Sequence, residues 1–189
     1  LTSLRKMSIG VAKKLAAYRP YNEYSPEVKV DDSYYLEIGD SDGFCPEEDA
    51  LCEFNELCCS LIVNGLINPL SQKEASALAK HGGHSLSISF KDYPNAAILM
   101  KLCEYQHELE LGSLSNYEDA YDGNILTDDR ANALSNFKGS CLRINGFKGL
   151  SDKAAESLSK LTSRLELVNG EGISQKAYAL LEEKGATLD

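Results

Sequence analysis

Cys59, His84 and His107 are the residues of this chain whose types and spacing most readily suggest chemistry. Each stands two residues ahead of a leucine (Leu61, Leu86 and Leu109) that opens an alternating apolar stretch. If those stretches are neighbouring parallel strands, equivalent residues recur about every 4.8 Å across the sheet. One thiolate and two imidazoles are donors that zinc accepts, so the column is a candidate metal site, with Cys58 or His81 nearby. The span argues against it, because three ligands on such a ladder reach one ion only if the outer two lean inward. The competing reading is three half-buried turn side chains, with the glycines of "HGGH" at 81–84 making a turn.

Other chemistries fail at identifiable places. In "GDSDGFCPEEDA" (39–50), setting Gly43 at the sixth position of a calcium loop puts Asp40, Asp42 and Asp49 at donor positions. The first position then falls on Ile38, which has no side-chain oxygen. Nucleophilic catalysis needs a Ser or Cys, a His base and an orienting acid together. The chain has three histidines and no G-x-S-x-G, and "NGEG" at 169–172 lacks the Lys and Ser/Thr of a phosphate loop. We therefore lean against an enzyme, assign no catalytic residue and expect no cofactor.

Tyrosines offer a different kind of site, since Tyr is enriched among residues that anchor protein interfaces. Tyr21, Tyr24, Tyr34 and Tyr35 gather in and after "RPYNEYSPEVKVDDS" (19–33), and Tyr117 and Tyr121 lie within "SNYEDAYDGNI" (115–125). These six are the expected partner-binding residues, against the alternative that the first group covers the end of a stack.

Composition narrows the partners. The 189 residues carry a formal charge of −10, without the clustered Lys and Arg that neutralise phosphates, so no nucleic acid is expected. No apolar run approaches the length of a membrane span. Six cysteines are present, two of them adjacent (Cys58–Cys59), and a chain this apolar does not need staples, so reduced thiols are expected.

The elements that must position these residues repeat. "LIVNGLINPLSQKEASALAK" (61–80) and "LRINGFKGLSDKAAESLSKL" (142–161) read almost alike. Leu61, Val63, Asn64 and Gly65 match Leu142, Ile144, Asn145 and Gly146; Leu70-Ser71, Ala75 and Leu78 match Leu150-Ser151, Ala155 and Leu158. Strand starts fall at 36, 61, 86, 109, 142 and 165, and the tightest intervals are 23 residues. Each unit has a period-two stretch followed by apolar residues three apart, which is a strand and then a helix. Ser8, Cys45, Ser71, Asn95, Thr127, Ser151 and Ser174 share one position, and all but Cys45 are good helix N-caps. Cys45 precedes Pro46, which suits a first helical position. The fold expected is α/β, a parallel strand–helix solenoid of about six to seven units, at 1–35, 36–60, 61–85, 86–108, 109–141, 142–164 and 165–189.

The pattern L-x-I-x-x-F at 142–147 and L-x-V-x-x-L at 61–66 resembles the leucine-rich repeat. More narrowly it is similar to short bacterial arrays of the form L-x-L-x-G-L, a gap, then L-S-x-x-A-A-x-x-L. The ladder Asn of the repeat is present at Asn64 and Asn145 alone in this frame. The resemblance implies a curved solenoid that binds other macromolecules, and it brings no catalytic residue.

Function is accordingly expected to be a non-catalytic protein-interaction scaffold. The alternatives are an accessory repeat domain of a larger enzyme and a small metal-binding repeat protein using Cys59, His84 and His107. Leu188 stands 23 residues after Leu165, where another strand would open. The chain is therefore expected to be part of a longer array, with self-association through exposed end strands as a further expectation.

Overall fold

The computed structural model describes residues 6–17, 35–55, 57, 59–113, 125–168 and 170–188. In chain order the elements are β1 (Lys6–Met7), α1 (Ile9–Ala16), β2 (Tyr35–Pro46), the 3-10 helix η1 (Ala50–Phe54), β3 (Ser60–Leu66), α2 (Gln72–Leu78) and β4 (Ser85–Phe90). There follow α3 (Ala96–Leu102), β5 (Glu108–Ser113), β6 (Ile125–Leu126), α4 (Asp128–Leu134), β7 (Cys141–Asn145), β8 (Lys148–Leu150) and α5 (Asp152–Leu158). The last are β9 (Arg164–Val168), β10 (Glu171–Ile173), α6 (Gln175–Lys184) and β11 (Thr187–Leu188). The chain is α/β. Strands and helices alternate, every described strand pairing is parallel, and the larger sheet is open rather than closed into a barrel.

The larger sheet has eight strands in the order β1-β2-β3-β4-β5-β7-β9-β11. Its register follows the leucine frame. Leu36 pairs with Leu61, Leu61 with Leu86, Leu86 with Leu109, Leu109 with Leu142, and Leu142 with Leu165. Parallel pairing keeps like side chains on one face. Ile38, Val63, Ile88, Leu111 and Ile144 thus stand in one fully buried row. The helices stack in chain order beside the strands, each against the next. Ala12, Ala75, Leu99, Ala131 and Ala155, each four residues past an N-cap, are fully buried, and small side chains at most of these positions let neighbouring helices approach closely.

The six expected N-caps all cap. Ser8, Ser71, Asn95, Thr127, Ser151 and Ser174 accept hydrogen bonds from the backbone N–H of Val11, Glu74, Ile98, Arg130, Ala154 and Ala177. Ser71 forms a full capping box with Glu74.

Three features differ from expectation. Cys45-Pro46 does not open a helix: β2 runs through Pro46, and the helical piece of that unit is the short η1. The reason is a break inside β2. Gly39 (φ 100°) and Gly43 (φ 133°) adopt backbone angles that favour glycine, and the pairing with β3 slips between Gly39 and Phe44. The second half of β2 then pairs with β1, Lys6 against Cys45 and Met7 against Pro46. Next, Leu188 pairs with Leu167 rather than Leu165. α6 has ten residues where α2 to α5 have seven, and it ends on Gly185 in the left-handed conformation, so β11 starts late. Finally, a three-stranded sheet, β10-β8-β6, lies just ahead of the last three N-caps.

Candidate interaction surface

Residues between the buried leucines point to the opposite face of the larger sheet. Pairing puts Glu37, Ile62, Ser87, Glu110, Arg143 and Glu166 in one row. Ser85, Glu108, Cys141 and Arg164 form a second row beside it. Ser85, Ser87 and Ser89 make the centre polar and uncharged. Toward the C-terminus the face is ionic. Arg143 donates from Nε and Nη2 to Glu166 Oε2 at 2.6 and 2.5 Å, and its Nη1 lies 3.8 Å from Glu110. Arg164 grips the other Glu166 oxygen. Glu166 is only 4% exposed; two guanidinium groups allow a carboxylate to sit there, and losing one would leave a buried charge undercompensated. At the other end Asn64, one of the two ladder asparagines, donates to Glu37 Oε1 at 2.7 Å.

The histidines lie at the turns leading into the strands. His84 and His107 are exposed, with ring centroids 6.0 Å apart, and Tyr105 meets His107 edge-on at 5.8 Å. Cys59 is half-buried. Among the described residues, no group of three or more His, Cys, Asp or Glu is arranged to hold a metal ion. Among the described residues, Cys45, Cys52, Cys103 and Cys141 are free thiols. Burial pushes the Cys103 thiol up to about 12, so it is unreactive near neutral pH.

His81 is the turn residue that spacing alone undervalued. Leu57, His81, Tyr105, Phe137 and Leu161 each donate their backbone N–H to the carbonyl three residues earlier, so they are equivalent. Four are apolar or aromatic and the fifth is an imidazole, 3% exposed and stacked on Tyr105 at 6.1 Å. Nδ1 lies 3.4 Å from the Phe54 carbonyl, whereas Nε2 has no hydrogen-bond partner. Burial holds its pKa below the usual histidine value, against the pull of the Phe54 and Cys59 carbonyls.

The helix N-termini form a second polar edge. The Ser151 hydroxyl donates to Asp128 and the Ser174 hydroxyl to Asp152, both at 2.5 Å, so each cap is tied to the first residue of the preceding helix. Lys153 and Lys176 pair with the same two carboxylates. These hydrogen bonds and lysines hold both carboxyls below their ordinary range. A shallow groove of about 650 Å³ runs here, lined by Ile125, Asp129, Gly149, Leu150, Lys153 and Gly172 among others. Its charged groups are largely satisfied by one another.

Of the expected partner-binding tyrosines, Tyr35 is described and is 58% exposed at the start of β2. Tyr21, Tyr24, Tyr34, Tyr117 and Tyr121 lie outside the described residues. Two other tyrosines serve the interior. The buried Tyr93 hydroxyl sits 2.6 Å from the carbonyl of Asn145, which ends β7, and 3.0 Å from that of Leu111 within β5. Tyr105 donates to the Gly83 carbonyl at 2.7 Å. Arg130 joins this region by donating to the carbonyls of Tyr93, Pro94 and Ile125 at 2.5, 3.0 and 2.6 Å.

Compared with protein-family models, curated proteins and solved structures, the chain matches none of them. Among the described residues, no helix is long and apolar enough to cross a membrane.

Proposed function

We propose that this chain is a non-catalytic protein-interaction scaffold: a leucine-rich-repeat-like solenoid whose outer sheet face receives another protein. The observation that carries the reading is one continuous row on that face, in which Glu37, Ile62, Ser87, Glu110, Arg143 and Glu166 stand side by side on neighbouring strands. Stacked units give a partner a long, rigid, regularly spaced row of side chains at little ordering cost. The polar centre at Ser85, Ser87 and Ser89 favours a hydrogen-bonding partner over an apolar one. Self-satisfied carboxylates and a buried, unreactive Cys103 also fit a binding role better than a catalytic one.

The test compares partner recovery by the intact chain with recovery by Ser85→Arg/Ser87→Arg, which fills the face, and Gln72→Arg, on exposed helix surface. The face variant should weaken a specific partner at least about tenfold, and the helix variant should not. Equal recovery by all three rejects the sheet face as the binding surface.

A further inference from the structure

Cys59, His84, His107, Ser140 and Ser163 each stand two residues ahead of a strand leucine, so they are equivalent positions on neighbouring strands of the larger sheet. In that column His84 and His107 alone put two imidazoles side by side. The sheet register reaches them. Glu108 donates its backbone N–H to the His84 carbonyl at 3.2 Å, and Ser140 donates its own to the His107 carbonyl at 3.0 Å. Both side chains are exposed, and their ring centroids lie 6.0 Å apart with 34° between the ring planes.

Tyr105 ties the two turns together. It is 1% exposed, and its hydroxyl donates at 2.7 Å to the carbonyl of Gly83, the residue before His84. The same ring meets His107 edge-on at 5.8 Å. The turn is packed as closely on its other side, where a Cβ on Gly83 would fall 2.1 Å from the Cys59 carbonyl oxygen. The backbone under both imidazoles is therefore held, while the exposed rings turn freely about their side-chain bonds.

The separation suits two ligands of one ion. A metal about 2.0–2.1 Å from an imidazole nitrogen lies about 3.2 Å from the ring centroid, so two rings on one ion have centroids at most about 6.4 Å apart. A tetrahedral angle at the ion brings them to about 5.2 Å, which a small rotation of either ring supplies. Two adjacent ligands also avoid the obstacle facing a three-residue column, whose ends lie about 9.6 Å apart. Imidazole suits zinc, copper and nickel, whereas magnesium and calcium take oxygen ligands. The net charge of −10 favours the approach of a cation.

We propose that His84 and His107 form a two-imidazole site for a divalent metal ion of the zinc class, with water in the remaining coordination positions. Cys59 takes no part, and the enclosed His81, stacked on Tyr105, stays outside it. The site lies at the turns leading into the strands and does not depend on a partner at the sheet face.

Zinc chloride titrated into the full chain, with a non-thiol reductant present, tests this through proton–nitrogen correlation spectra of the imidazole rings. The His84 and His107 signals should move together and saturate at a single ion per chain, while those of His81 hold still. His84→Gln and His107→Gln should each weaken zinc binding at least about tenfold, because the second imidazole engages intramolecularly at high effective concentration. Both positions are exposed, and circular dichroism should show both variants folded. Cys59→Ser should leave the affinity unchanged, and magnesium chloride should move neither ring. Undiminished zinc binding by either histidine variant overturns the proposal. So does loss of binding in Cys59→Ser, an equal response to magnesium, or rings that do not respond to millimolar zinc.

Discussion

His81 illustrates how one side chain can depart from the rule its neighbours obey. Its position is apolar or aromatic in the equivalent turns, at Leu57, Tyr105, Phe137 and Leu161, yet it carries a titratable ring with an unpartnered nitrogen. Burial favours the neutral ring. Tyr105 stacks on the ring, and the charge of His107 on the following turn adds to the effect of burial. The sign follows from linkage. Above the unfolded value of about 6.5 both states are neutral and stability is full. Below it the unfolded chain takes up a proton that the buried ring resists, so stability falls until the folded-state pKa is reached. Denaturant unfolding from pH 7.5 to 4.5 should show His81→Phe within about 1.5 kcal/mol of the parent at neutral pH. The variant should lose stability less steeply below 6.5, by up to about 1.4 kcal/mol per pH unit. Parallel curves for the two proteins would mean that His81 titrates normally. The sequence marks His81 only as part of "HGGH"; its burial depends on which residues the neighbouring turns bring against it.

Among the elements, helix starts were the most legible feature. A capping side chain acts on amides two or three residues away, so the signal is local and survives in the sequence. Ser151 carries two roles, accepting from Ala154 N–H and donating to Asp128 of the helix before it. Ser151→Ala should therefore cost about 1–2 kcal/mol, read as a shift in denaturation midpoint at unchanged m-value. A change below 0.5 kcal/mol, roughly the size typical of ordinary surface substitutions, would show that the cap is dispensable. Cys45 failed as a helix start for a reason that is not local. The break at Gly39–Phe44 carries the chain on as a strand, and β1 supplies a distant partner: Lys6 opposite Cys45 and Met7 opposite Pro46. The second sheet was missed because strands of two or three residues are too short to show alternation.

Across the whole molecule, contacts run between neighbours: each strand of the larger sheet with the next, each helix with the next. Stability built this way propagates outward from a lesion instead of spreading evenly. Leu111 is fully buried between Ile88 and Ile144. Leu111→Ala should cost about 2–5 kcal/mol. Native-state hydrogen exchange should show protection lost first in β4, β5 and β7, with β2 and β9 retaining more. Uniform loss across the sheet would indicate one cooperative unit. The sequence by itself determined the alternation of strand and helix, the parallel register of the leucines and six of the helix caps. Each of these rests on side-chain periodicity or on contacts within a few residues. Only the tertiary structure decided which charges neutralise one another on the outer face, how deeply Glu166 and His81 are buried, and where Arg130 reaches. Those outcomes depend on residues that are distant in the chain and adjacent only after the strands have stacked.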